Sequence, residues 1–153
     1  MGRIEDKLAE MGERLPDAPA PAANYVPYVV VGKTVYVSGQ ISQGPEGNML
    51  GKLGETATTE EGAVAARACA LSILAQIKAA AGGDLDRLAR VVKLTGFVNS
   101  TSGFTDQPKV INGASDFLVE LLGDAGRHAR SAVSAASLPL GVMVEIEAIA
   151  ELT

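Results

Sequence analysis

The sequence predicts one α+β domain, in which a mixed β-sheet carries two long helices on one face. Three observations predict it. Residues 59–81 and 107–122 repeat apolar side chains at spacings of three and four, the period of a helix with one buried side. In the last strand, Val144, Ile146, Ala148 and Ala150 alternate with Glu145, Glu147, Ile149 and Glu151, the period of a strand with one dry face. The predicted order is α, β-hairpin, α, β, α, β, β. At 153 residues the chain has room for one real core.

The elements follow in chain order. Residues 3–14 read as a short helix, with Ile4, Leu8, Met11 and Leu15 on one side. This helix is expected to pack on the outer helical layer. Residues 16–24 are rich in Pro and Ala, which predicts an irregular or extended segment laid along the surface. Residues 28–31 and 34–38 are β-rich, and Gly32-Lys33 between them reads as a two-residue hairpin turn. The Gly-rich residues 42–57 lack periodicity and read as a loop, where pocket walls are often built.

Thr58 and Glu61 form a capping box ahead of the long helix 59–81, whose apolar stripe with polar edges runs through Val64, Ala68, Leu71, Leu74, Ile77 and Lys78. Gly82-Gly83 ends it. Residues 88–99 read as a strand and 100–106 as a Ser/Thr/Gly loop. A second helix spans about 107–122 and stops at Gly123, with Ile111, Phe117, Leu118 and Leu121 facing the core. Strands at about 129–136 and 142–151 complete the chain, joined through Leu138-Pro139.

Composition narrows the function. Net charge is −5 with no basic run, which argues against a dedicated nucleic-acid binder. One His and one Cys are too few for a His/Cys zinc site. Cys69, within an Ala-rich helix, reads as core filler rather than a nucleophile. A lone cysteine allows no intrachain disulfide and suits a reducing cytosol, so a cytoplasmic location is expected. No stretch reaches the roughly 18 apolar residues of a membrane span. The acidic, amphipathic N-terminus is not a signal peptide. No strand–GxGxxG–helix unit is present, and no Ser-His-Asp set assembles around His128.

Arg130 and Glu145 remain as the chemistry-bearing pair. A guanidinium holds a carboxylate through two parallel hydrogen bonds, and a glutamate orients or deprotonates water. The two strands are expected to place this pair on adjacent ladder positions. Glu147 shares the strand face of Glu145, so either is a candidate base. Arg130 also admits a structural ion pair with one of them. His128 reads either as a pH-dependent pocket group or as a surface or interface histidine. A sheet face that is half apolar and half charged usually meets another subunit or a water-filled cavity, which predicts a homo-oligomer with pockets at its seams.

Several segments resemble the RidA/YjgF family of reactive-intermediate deaminases. They are Pro27-Tyr28, Val37-Ser38-Gly39-Gln40-Ile41, Ala129-Arg130-Ser131 with Val133, Leu138-Pro139, and Val144-Glu145-Ile146-Glu147-Ala148-Ile149-Ala150. The resemblance covers about residues 22–152. It implies a chorismate-mutase-like fold and a homotrimer with clefts between subunits. The implied reaction is hydrolysis of 2-imino acids or enamines to 2-oxo acids and ammonia, without metal or organic cofactor. Carried over residue by residue, Arg130 matches the arginine that binds the substrate carboxylate, and Gly39 the glycine whose backbone N–H shares it. Glu145 matches the glutamate that positions water, and Tyr28, Ser38 and Asn112 match pocket residues. The N-terminal extension, Ala132 and Ala135 depart from the family pattern and mark a divergent, longer subgroup. Two other readings stand beside the enzyme: a non-catalytic 2-oxo acid binder using the same arginine, and the endoribonuclease or translation-inhibitor label that some relatives carry.

Overall fold

A computed structural model describes residues 2–21 and 23–153. Met1, in the predicted N-terminal segment, and Ala22, in the Pro/Ala segment, lie outside the described residues. Helix α1 spans Arg3–Glu10 and buries Ile4 and Leu8, one turn apart. Its N-terminus is capped from a distance: the backbone N–H groups of Arg3 and Ile4 donate to the carboxylate of Asp86 at 2.8 and 2.9 Å. Those bonds favour the charged form and hold the Asp86 carboxyl below its ordinary value.

Strands β1 (Tyr28–Val31) and β2 (Thr34–Ile41) form the expected hairpin, with Gly32 at φ 62° in its turn. The predicted loop at 42–57 contains a small ribbon of β3 (Gln43–Gly44) and β4 (Gly47–Asn48). Each arm has two residues, too few to leave a period in the sequence. Helix α2 (Thr59–Ala80) opens with the predicted capping box: the Glu61 N–H donates to Thr58 Oγ1 at 3.1 Å, and the Thr58 N–H donates to Glu61 Oε1 at 3.0 Å.

The stripe predicted for α2 holds at Leu74 and Ile77, both fully buried, and is off in the first half of the helix. Val64 is exposed, and Ala68 and Leu71 sit at the margin. The buried side runs through Ala65, Ala66, Cys69, Ala70, Ile73 and Ile77. In its first half the buried positions are small, Ala65, Ala66 and Ala70, whereas its second half buries Ile73, Leu74 and Ile77. The expectation that no stretch reaches a membrane span is corrected here: α2 is long and apolar enough to cross a membrane, yet 56% of its apolar window is buried inside the fold, as befits a core helix.

Strand β5 (Leu88–Asn99), helix α3 (Gln107–Leu122), strand β6 (Ala129–Ala135) and strand β7 (Val144–Leu152) complete the chain. Among the described residues the main sheet has the order β1-β2-β7-β5-β6, with β5 and β6 parallel and the other pairs antiparallel. Both long helices cover one face. Ile73, Leu74 and Ile77 of α2 and Ile111, Ala114 and Leu118 of α3 join Val35, Leu94, Val98, Val144, Ile146 and Ala150 of the sheet in one core. The helices touch closely where Gly113 meets Ala63: a Cβ on Gly113 would lie 2.0 Å from the Ala63 carbonyl oxygen.

One expectation is corrected here. β6 and β7 are consecutive but not neighbours, because β5 lies between them. Helix α3 returns the chain parallel to β5 at the sheet edge, as a β-α-β crossover requires. The Leu138-Pro139 connection then passes the end of β5, where Asn99 Nδ2 donates to the Val142 carbonyl at 3.1 Å.

Among the described residues, nothing in this chain covers the other sheet face. It exposes Val29 (49%), Tyr36 (48%) and Val133 (44%) beside Glu145, Glu147, Thr95 and Phe97. The segment after α1 runs along α2 instead. Arg67 Nε donates to Glu13 at 2.8 Å, and Gln76 Nε2 donates to the Pro19 carbonyl at 2.7 Å. The N-terminal segment therefore belongs to the outer helical layer, as expected.

Candidate functional site

Arg130 stands on the edge strand β6 in register with Leu94 of β5, a core residue. It therefore points to the helix side of the sheet. Its Nη1 donates to Ser115 Oγ at 3.0 Å and its Nη2 to the Pro108 carbonyl at 3.3 Å, both on α3. Asn112 lies between these anchors, four residues after Pro108 and three before Ser115, so it shares their helix face. It is half-buried. Ser115 Oγ in turn lies 2.8 Å from His128 Nε2, and His128 Nδ1 lies 2.7 Å from the Gly126 carbonyl. Burial, reinforced by the Arg130 charge, holds the imidazole below its ordinary pKa despite the opposing Gly126 bond. Of the two readings left open for His128, the structure shows a half-buried ring bonded behind Arg130.

Glu145 sits on β7 between Ile41 of β2 and Phe97 of β5. Its neighbours Val144 and Ile146 are buried under the helices, so its side chain projects from the opposite, uncovered face. It is half-buried, whereas Glu147 is exposed. Burial first, and the Glu147 charge second, raise the Glu145 carboxyl above its ordinary value. The pairing of β2 with β7 slips between Val37 and Gln40, which makes Ser38-Gly39 a β-bulge. Bulges leave a residue out of the ladder and bend the strand, often beside functional sites. The Glu145 carboxylate fills the space beside Gly39: a Cβ there would lie 2.1 Å from Oε2.

The remaining residues divide between these two places. Ser38 lies in the bulge, but its hydroxyl donates to the Val26 carbonyl at 2.8 Å, a bond that fixes the approach to β1. Gln40 is buried, and its Nε2 donates to the Ser38 carbonyl at 2.9 Å, supporting the bulge from beneath. Tyr28 pairs with Val37 and packs against the rim of the core on the helix side, away from the Glu145 face. Cys69 is fully buried, and burial pushes its thiol far up, so it is core filler.

Within one chain Arg130 and Glu145 do not meet. Two strand intervals and three residue steps separate them, about 14 Å between backbones, and they project from opposite faces. The adjacent ladder positions expected from sequence are thus absent, and so is the alternative of a direct ion pair. Two grooves of about 890 and 670 Å³ run along the N-terminal segment at Glu13–Asp17, and neither includes Arg130 or Glu145. Among the described residues no group of three His, Cys, Asp or Glu side chains converges. Sequence reading missed Ser115 and gave Gln40 no role, though it lies within the Val37–Ile41 segment. Ser115 leaves no signal until Pro108, Asn112 and Ser115 are seen to share one helix face.

A mixed five-stranded sheet backed by two helices, with an arginine on its edge strand and a carboxylate on its bare face, defines a chorismate-mutase-like protein. The chain belongs to the family described as "YjgF/chorismate_mutase-like, putative endoribonuclease", whose profile matches residues 5–152. Protein TCP17 of Trypanosoma cruzi is 51% identical over 153 residues, which cover 99% of this chain and 95% of that protein. The 2-iminobutanoate/2-iminopropanoate deaminase of Rattus norvegicus is 34% identical over 133 residues, covering 87% of this chain and 83% of the rat protein. The solved structure of Atu1372 from Agrobacterium tumefaciens, a protein of unknown function, superposes with a TM-score of 0.91 at 46% identity. That match covers 98% of this chain and 93% of Atu1372. The family includes proteins named as imine deaminases and proteins described as endoribonucleases.

Proposed function

We propose that this chain hydrolyses small 2-imino acids, or their enamine tautomers, to 2-oxo acids and ammonia in clefts between copies of itself. The observation that carries the reading is the separation of Arg130 from Glu145. A guanidinium at the sheet margin and a carboxylate on a bare, half-apolar face become one site when a second copy seats on that face. Three copies, each offering its open face to the next, would close a ring with three equivalent clefts. Relatives named as imine deaminases support the substrate class, and the lone, buried Cys69 suits a cytoplasmic setting.

In this reading Arg130 clamps the substrate carboxylate with two hydrogen bonds. Glu145 of the neighbouring copy takes a proton from water as the oxygen attacks C2 of the protonated imine. The resulting carbinolamine receives that proton on nitrogen; as Glu145, again a carboxylate, takes the hydroxyl proton, the C=O bond forms, the C–N bond breaks, and ammonia and the 2-oxo acid leave. The raised pKa of Glu145 brings the group toward the range in which it both accepts and returns a proton. Capture of a carboxylate without turnover would need Arg130 alone, and a second negative charge nearby would weaken it. Asn112 shares the α3 face with the anchors of Arg130. Gly39 and Ser38 frame the Glu145 side, and Tyr28 would contribute from the rim of β1.

The test uses 2-iminobutanoate generated in situ from threonine by a dehydratase. Wild type should speed the loss of imine, and Arg130→Ala and Glu145→Gln should each abolish the gain. Mixing the two inactive variants, after dissociation and reassembly, should restore about a quarter of the clefts. No acceleration by wild type sinks the enzyme reading. Inactive single variants with no rescue on mixing sink the shared cleft.

A further inference from the structure

We propose that Ser115 and His128 are positioning residues that hold the Arg130 guanidinium ready for a carboxylate. The inference rests on the reading of Arg130 as the carboxylate-binding group.

Each hydrogen bond in this chain has one permitted direction. The Gly126 carbonyl only accepts, so the imidazole nitrogen 2.7 Å away, Nδ1, carries a hydrogen. In the neutral ring Nε2 then presents a lone pair. The Ser115 hydroxyl has a single hydrogen and spends it on Nε2 at 2.8 Å. That leaves the oxygen lone pairs turned to Arg130, whose Nη1 donates at 3.0 Å. The Pro108 carbonyl takes one hydrogen of Nη2 at 3.3 Å. Of the five N–H donors of a guanidinium, two are thus engaged and three stay free for a two-point clamp.

The arrangement addresses a specific difficulty. Arg130 stands on an edge strand, and a long side chain there loses rotamer freedom when it binds a ligand. Anchoring both Nη atoms to α3 takes that loss in the folded protein, before any ligand arrives. A histidine with the reverse tautomer would donate to Ser115 and set two donors on one oxygen, and a charged one would also place a second positive group beside the guanidinium. The charged side chains on the packed elements are Lys109, Asp116 and Glu120 on α3, Asp124 and Arg127 in the turn after it, Arg90 and Lys93 on β5, and Arg130 itself. Among them only Arg130 shifts the imidazole, and it favours the neutral form.

His128 is the only histidine in the chain, so its ring signals in an NMR spectrum are unambiguous. The experiment measures 2-oxobutanoate binding and the KM and kcat for 2-iminobutanoate in wild type, Ser115→Ala, Ser115→Thr, His128→Ala and Arg130→Ala. Ser115→Ala and His128→Ala should each weaken binding about tenfold and raise KM more than they lower kcat. The double variant should be no worse than either single one. Ser115→Thr, which keeps the hydroxyl, should restore wild-type affinity. Nitrogen shifts should show the Nδ1–H tautomer, and saturating 2-oxobutanoate should raise the His128 pKa by cancelling the guanidinium charge. If Arg130→Ala loses binding while both alanine variants stay within twofold of wild type, the positioning role is overturned and the site reading survives. If Arg130→Ala binds like wild type, the site reading itself fails. Should Ser115→Ala not fold, Ser115→Thr and His128→Ala decide the matter by the same measurements.

Discussion

The Glu145 carboxylate occupies the space that a side chain on Gly39 would need, with Oε2 2.1 Å from the position of a Cβ. The bulge at Ser38-Gly39 and the carboxylate on β7 are therefore one unit, in which the missing side chain makes room for the acid.

Gly39→Ala tests that unit. The obstructed atoms are the far end of a flexible side chain, so Glu145 swings aside and the fold absorbs the change. Unfolding stability should fall by less than about 1 kcal/mol, while imine turnover should fall about 100-fold because the base is misplaced by an ångström or more. Thermal melts and initial rates on one preparation check both halves.

Glu145 also predicts a pH dependence. Its folded pKa lies above the ordinary 4.5 because burial and Glu147 disfavour the charge. Between those two values the folded state binds more protons than the unfolded one, so this group's contribution falls as pH rises. Glu145→Gln should match wild type at acid pH and gain on it as pH rises through that window. Urea midpoints from about pH 4 to about pH 8 measure the difference. A gap that does not change with pH would contradict the raised pKa.

Gly113→Ala sets two effects against each other. Alanine favours a helix over glycine by about 1 kcal/mol. Here the new methyl would meet the Ala63 carbonyl at 2.0 Å, and backbone cannot move aside as a side chain can. Packing should win, with a net loss of about 2 kcal/mol in urea unfolding. A more stable variant would mean that α2 and α3 do not approach so closely.

The N-terminal helix should matter to stability. Leu8 is 2% exposed and Ile4 5%. Leu8→Ala should cost about 2–4 kcal/mol, through lost burial and the cavity left behind. Deleting residues 2–15 should cost at least as much in the same unfolding measurement. Unchanged stability would show that α1 does not dock.

Much of the fold was legible because its signals are local. The capping box at Thr58, the Gly32-Lys33 turn and the alternation of β7 each act within a few residues, and the structure contains all of them. The first half of the α2 face was misread because Val64 and Leu71 outrank alanine in hydropathy, while the buried positions there are Ala65, Ala66 and Ala70; its second half, Leu74 and Ile77, was read correctly. The candidate site was half legible. Arg130 and Glu145 stand out by residue type, yet their relationship depends on β5 lying between their strands.

The sequence alone determined where the helices and the strands of the main sheet fall and which face of β7 is dry. Capping, turn chemistry and side-chain period need only near neighbours along the chain. Only the tertiary structure decided that β6 docks beyond β5 and that Arg130 turns toward α3. It also decided that Glu145 ends on the bare side of the sheet. Strand order is settled by which edge a crossover helix can reach while burying its apolar side, and residues far apart in sequence make that choice together.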